Sequence, residues 1–544
     1  MLTVKQEKLF SLVLPALVLF IFLLRLITGF SPGILLSSTP DSVEPFTGAL
    51  RMCRGFNFGF TLNGEFFPSR YSPSLSVLLM PFLLLSPTPE AAGAAIGFWA
   101  MILMLFAVLL FHKDKEYGGT ALTCALLFMV PCFLEYCGSV MTEIPYSALL
   151  FIMLWLFRNM IDLEKNVPKL FLLYGIAAAI CGSLRMTGYP MLLPAAWFLF
   201  TLCKRQKNIF ISSWIFLLLP SLLTTLFSAI FNCQVFGSPS RSGYHFHTPV
   251  PYDFPELLFS FSYIPRNIID SLKWGRGILI LGAAILSAGT FCLLCRKKSL
   301  PCSRAFKAEC CFIFLQFLIL TLLYFPHCYF CMRFFLPVIS LFVWLLLRST
   351  LGILRALNIF TDDGITKAAW LIGIELMLIA FFFPQQDYCG KEITALRHFS
   401  KVLPKQALLI HNYDPGRVEL FFVHHPGRKQ LPASRQHEYA NKIALRKSIT
   451  DPVPRPENIL VHRAEYLHNA SGKIDFFPKV LEESPQQLIA GSLSGKIPVY
   501  ITGNALNALT RATYFTLREN FLIKQVFQTP QGELLFQIFP FREK

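Results

Sequence analysis

The sequence predicts a mainly α, polytopic transmembrane helix bundle of about eleven spans, followed by a C-terminal extracytoplasmic α/β domain. Three observations carry this. Of 544 residues, 54% are hydrophobic and only 15% charged, and the mean hydropathy is +0.53, a composition foreign to soluble domains. Apolar runs near the length of a bilayer crossing recur over residues 1–384. From about residue 385 the composition becomes that of an ordinary soluble protein.

The spans read at 9–30, 91–111, 118–136, 139–157, 168–184, 188–203, 209–231, 277–295, 309–325, 329–348 and 368–384. The run 74–86 lies between Pro73 and Pro87. It falls short of the roughly 17 residues a helix needs to cross, so it is expected at the interface. Basic clusters fix the orientation. With eleven spans, KQEK at the N-terminus, HKDK at 112–115, RNMIDLEK at 158–165, KRQK at 204–207 and the cluster at 295–307 share the cytoplasmic side. The N-terminus is then inside and the C-terminal domain outside the plasma (inner) membrane. The N-terminal apolar run has no small-residue cleavage site and reads as a retained first span.

The formal charge of +17 follows this loop asymmetry and does not indicate a nucleic-acid partner. Fifteen cysteines fall almost all in or beside apolar runs, so no disulfide framework follows. Cys292 and Cys295 form a CxxC without a second ligand pair, and His245 and His247 have no third ligand nearby; no metal site is predicted. No cofactor is read from the sequence, and a divalent metal requirement is left open.

Beyond 384, strands are expected at 407–412, 418–423, 458–462 and 498–502, with a terminal hairpin around the turn 529–532. No phosphate-binding or nucleophile-elbow motif occurs there. The chemistry is therefore sought in the loops of the 1–384 domain.

Parity brings the first loop (31–73), residues 134–145, 185–190, 326–330 and the second long loop (232–276) to one outer face. The first loop is too long for a connector. Asp41, close beyond the first span, and Glu44 read as catalytic acids, a general base for an acceptor hydroxyl, amine or phosphate; the alternative is a helix cap. Arg70, beside Tyr71 and Pro73, offers a fork for a lipid phosphate or else anchors at the headgroups. Glu143 is a third candidate acid, though an acid at a helix start is favoured by the dipole alone. Arg185 and Arg333 stand at outer ends of spans, where an arginine needs an anionic partner or snorkels. Arg241, His245, Lys273 and Arg276 mark the second loop as a substrate cover.

Asp41, GALRMCRG (48–55), LNGEFF (62–67) and SRYSPSLSVLLMP (69–81) stand in an order that resembles the GT-C superfamily of membrane glycosyltransferases, in particular its protein-mannosyltransferase-like and lipid A aminoarabinose transferase-like members. MTEIPYSALLFIMLWL, GSLRMTGYP and RFFLPVISLFVWLLL are similar as well. The resemblance covers roughly residues 1–384. It implies transfer of a sugar from a polyprenyl-phosphate donor to a lipid, glycan or protein acceptor at the outer face. By it Asp41 takes the base position, with Arg70, Arg185 and Arg333 toward the donor phosphate. Ser42 and Tyr71-Ser72-Pro73 depart from the family's pattern. The competing readings are a transporter or flippase of a lipid-linked intermediate and a surface-glycan ligase or polymerase. The absence of an internal repeat argues against the first of these.

Overall fold

The computed structural model of the chain describes mainly residues 40–113, 139–206, 211–236, 304–324, 332–356, 390–432 and 485–541, apart from scattered positions within them. The spans expected at 9–30, 118–136 and 277–295, nearly all of 368–384, and the strand at 458–462 lie outside the described residues.

In chain order, α1 (Pro40–Cys53) and α2 (Ser74–Leu85) flank a hairpin of β1 (Phe60–Leu62) and β2 (Glu65–Phe67). Then follow α3 (Pro89–Lys113), α4 (Glu143–Leu163), α5 (Pro168–Leu184), α6 (Leu193–Gln206), α7 (Ile211–Phe236), α8 (Arg304–Tyr324) and α9 (Leu336–Ala356). Short 3-10 helices at Met186–Leu192 and Met332–Phe335 lead into α6 and α9. The C-terminal part runs α10 (Gly390–Val402), β3 (Ala407–His411), α11 (Pro415–Phe422), β4 (Arg428–Pro432), α12 (Pro485–Ser494), β5 (Val499–Thr502), α13 (Gly503–Ala508), α14 (Arg511–Asn520), β6 (Phe521–Gln528) and β7 (Leu534–Pro540).

Among the described residues, six helical stretches are long and apolar enough to cross a membrane: Pro89–Phe111, Glu143–Leu163, Met186–Arg205, Ile211–Gln234, Ala305–Tyr324 and Arg333–Thr350. Each coincides with an expected span. The interfacial run is the 12-residue α2, too short to cross.

The chain divides into two compact units, one of residues 1–30, 94–231 and 250–385, the other of 31–93, 232–249 and 386–544. In the first, α4 is the central helix. It packs against α5, α8 and α9 and is buried along nearly its whole length. Phe157 on α4 meets Tyr174, Phe198 and Phe312 at ring separations of 6.5, 6.4 and 6.2 Å. Gly175 lets α5 touch α7 backbone to backbone: a Cβ there would lie 2.6 Å from the carbonyl oxygens of Phe216 and Leu217.

In the second unit, besides the β1–β2 hairpin, five described strands form a sheet in the order β4-β3-β5-β7-β6. The pairs β4/β3 and β3/β5 are parallel, while β5/β7 and β7/β6 are antiparallel. One face buries Leu409 and Tyr500 under Leu396 and Phe399 of α10 and Val418 and Phe422 of α11. The other buries Leu408, Ile410 and Ile501 under Ile489 of α12 and Leu517 of α14. This makes three layers, α/β/α. The expected strand at 418–423 is instead the helix α11. Pro415 supplies a helical first turn, and Val418 and Phe422, four apart, share the buried side. An apolar run this short fits either period. α1 packs against α2 and α11 within this unit.

Candidate active site

A glutamate and two arginines from three separate stretches meet at one end of the first unit. Glu143 is the first residue of α4, where the helix dipole favours a carboxylate, and its side chain is wholly buried. Arg185 is the extended residue (φ −148°, ψ 128°) between the end of α5 and the 3-10 helix Met186–Leu192. Two glycines make that corner possible. A Cβ on Gly188 would lie 2.5 Å from the backbone of Cys181 and Gly182, and one on Gly182 would lie 2.4 Å from the Tyr189 ring. The chain folds flat over the helix end and turns Arg185 toward α4.

Arg185 donates from Nη2 to Glu143 Oε1 at 2.6 Å and from Nε to Thr142 Oγ1 at 2.8 Å. Arg333, in the 3-10 helix before α9, brings its Nε to 3.7 Å from the same carboxylate oxygen. The Phe334 ring lies 5.6 Å from the Arg185 guanidinium and 5.4 Å from that of Arg333. Tyr324 of α8 stacks on Phe334 at 4.5 Å. Beneath them Tyr146 hydroxyl accepts from Thr187 Oγ1 and from Gln316 Nε2, each at 2.9 Å. Its ring lies 5.9 Å from the Arg185 guanidinium.

The cluster carries two guanidiniums against one carboxylate. Its side chains are largely withdrawn from water, where charge-assisted hydrogen bonds to an anion are strongest. The Glu143 carboxylate holds Arg185 through that bond.

The acids of the first loop belong to the second unit. Asp41 is the second residue of α1, so it lies inside the first helical turn rather than preceding it as a cap. Pro45 has no N–H to offer the Asp41 carbonyl. Glu44 is buried and accepts from Ser69 Oγ at 3.2 Å, and Ser69 Oγ in turn accepts the Tyr71 N–H at 3.2 Å. Ser76 Oγ of α2 donates to the Pro45 carbonyl at 2.8 Å. These bonds tie the start of α1 to the strand leading to Tyr71 and to α2. Burial raises the Cys53 thiol against the opposing pull of Arg54, which keeps it from serving as a thiolate. Arg70, Arg241, His245, Lys273 and Arg276 lie outside the described residues. No group of three His, Cys, Asp or Glu side chains suited to a metal ion occurs among the described residues.

No protein-family model matches the chain, and no curated protein matches it by sequence. Solved structures do. ArnT from Cupriavidus metallidurans in the apo state is 10% identical, with 95% of this chain and 97% of that one covered, at a TM-score of 0.51. The same protein bound to undecaprenyl phosphate, at equal identity and coverage, gives 0.52. The chain has the ArnT fold. At 10% identity the likeness is one of fold, and it extends over nearly the whole chain.

Within this ArnT-type fold, Glu143, Arg185 and Arg333 were each legible as isolated ionisable residues at span ends. Their supports were not. Tyr146, Gln316 and Phe334 read as ordinary span residues, and only Gln316, an amide inside an apolar run, carried a signal. A second charged group was also missed. At the far end of α4, Arg158 donates to Glu309 Oε1 at 2.7 Å and to Asp162 Oδ1 at 2.9 Å. Arg348 pairs with Glu309 Oε2, and Lys113 reaches Asp162 at 2.8 Å. Arg158 and Asp162 are one turn apart on a helix, which was the available hint.

Proposed function

We propose that this protein is a membrane glycosyltransferase that takes a sugar from a polyprenyl-phosphate donor and passes it to a lipid, glycan or protein acceptor at the outer membrane surface. The observation that carries the reading is the convergence of Arg185 and Arg333 on Glu143 within a fold whose ArnT counterpart has been solved with undecaprenyl phosphate.

Two arginines held side by side in a protected site suit a lipid phosphate, a diester while it carries the sugar and a monoester once the sugar has left. The acceptor oxygen attacks the anomeric carbon in line, and the sugar–phosphate bond breaks. The bonding pair leaves on the lipid phosphate, whose growing charge Arg185 and Arg333 stabilise, since such groups act most strongly where charge develops. Glu143 fixes Arg185 rather than accepting the proton. Asp41 takes that proton as general base, while buried Glu44 accepts from Ser69, whose Oγ also accepts the Tyr71 N–H. Arg70 is a further candidate for recognising the donor phosphate, and Tyr71, Arg241, His245, Lys273 and Arg276 are the candidates for the acceptor. In this reading the Glu143 end of α4 is extracytoplasmic, as are the first loop and the C-terminal domain.

The test is transfer by the purified protein. Polyprenyl-phosphate sugars labelled in the sugar are supplied with envelope lipid and glycan fractions, and products are read by mass spectrometry. Labelled product that disappears with Arg333→Ala supports the reading. Absence of transfer from every donor, with transport of the intact lipid across vesicles, overturns it.

A further inference from the structure

Two buried acceptors in the Glu143 cluster have no donor. Glu143 Oε2 and Gln316 Oε1 accept no hydrogen bond, although both side chains are fully buried. Nearly all buried polar atoms find partners, and an unmet charged acceptor is the costliest kind. Both atoms belong to side chains around Tyr146: Glu143 lies one helical turn before it, and Gln316 Nε2 donates to its hydroxyl. Whichever way the Gln316 amide is turned, one end of it stays unmatched. The other oxygen of Glu143 is bonded to Arg185, whose guanidinium lies 5.9 Å from the Tyr146 ring.

We propose that Glu143 Oε2 and the free end of the Gln316 amide form the subsite for a hydroxyl group on the sugar of the lipid-linked donor. This rests on the donor reading above and deepens it. Charge selects the ligand group. Beside two guanidiniums and one carboxylate an ammonium is repelled, and a phosphate oxygen offers Glu143 no proton. A sugar hydroxyl donates to Oε2, and a hydroxyl either donates to or accepts from an amide. The arginines then hold the phosphate, while Glu143 and Gln316 make the site sense whether a sugar is attached. A site built to bond a hydroxyl rejects the ligand that lacks it, because its own buried groups are left unpaired.

The experiment measures binding of the full-length protein in detergent to undecaprenyl phosphate and to polyprenyl monophosphates bearing a hexose, a pentose or an N-acetylhexosamine. The expected result is at least one sugar-bearing lipid held about tenfold tighter than the bare phosphate. Gln316→Leu removes that preference, with a thermal melt to show that the variant is folded; Gln316→Met serves if the leucine variant does not fold. Equal binding of bare and sugar-bearing lipids by the unaltered protein overturns the subsite alone and assigns the two acceptors to ordered water. A preference that survives both Gln316 variants overturns it too. Binding of neither kind of lipid overturns the donor reading and the subsite with it.

Discussion

Arg185 reaches Glu143 across one chain reversal, 42 residues apart in sequence, with 2.6 Å between Nη2 and Oε1. The pair joins the end of α5 to the start of α4, and neither partner has much water around it. Removing one member of such a pair strands a charge. Glu143→Gln and Arg185→Gln should each lower stability by about 3 kcal/mol, within the range for broken buried pairs. The double variant should cost less than the sum. Thermal unfolding of the four proteins checks this; strict additivity would dissolve the pair as an energetic unit.

Arg333→Ala leaves the Glu143–Arg185 bond in place and removes the second guanidinium. Loss of one charge-assisted phosphate contact costs about 1.5–3 kcal/mol, a drop in donor affinity on the order of 10- to 100-fold. Acceptor KM should stay near its starting value. Steady-state kinetics with donor and acceptor varied separately makes the comparison.

Asp41→Asn keeps the size of the side chain and removes its basicity. Loss of a positioned general base lowers rate by about 10²–10⁴-fold. Because Asp41 lies within the first turn of α1, the charge change costs only about 0.3–1 kcal/mol through the helix dipole. Transfer rate and melting temperature, measured together, separate the two effects. A fully active Asp41→Asn enzyme would move the base to another acid.

Gly188→Ala puts a methyl group 2.5 Å from the backbone of Cys181 and Gly182, with no flexible side chain there to yield. The corner must open, and Arg185 moves with it. The expected outcome is a destabilised protein whose remaining folded fraction has weakened donor binding. Gly491→Ala, where a Cβ meets nothing within 4 Å, is the control and should behave as the unaltered protein does.

Glu309→Gln tests the charged group at the other end of α4. Arg158 and Arg348 both pair with Glu309 in a buried setting, so neutralising it should cost about 3–5 kcal/mol of stability. Activity per folded molecule should change little, because some 16 residues of α4 at 1.5 Å each set this group about 25 Å from Glu143. A large loss of activity without a change in melting temperature would contradict a purely structural role.

Much of the architecture could be read from the sequence. Length and apolarity of each run settle whether a helix can cross a bilayer, and these are local properties. Hence every long apolar helix among the described residues falls on an expected span, and α2 is short as its 13-residue run required. Parity of the spans was enough to send 134–145 and 185–190 to one face. The strand expected at 418–423 failed for the complementary reason. Eight residues hold too few turns of either period to distinguish them, and the packing of Val418 and Phe422 on one side of the sheet decided for a helix.

What the sequence determined by itself was the membrane-spanning class and the names of the isolated ionisable residues at span ends. Only the tertiary structure decided that Glu143 belongs to Arg185 and Arg333, that Tyr146 and Gln316 underlie them, and that Glu309 gathers two further arginines. The physical reason is range. Hydrophobic periodicity acts over one helix, whereas a buried carboxylate is tolerated only where charges from distant segments converge on it. That convergence depends on corners such as Gly182–Gly188, whose missing side chains leave no trace in a hydropathy pattern.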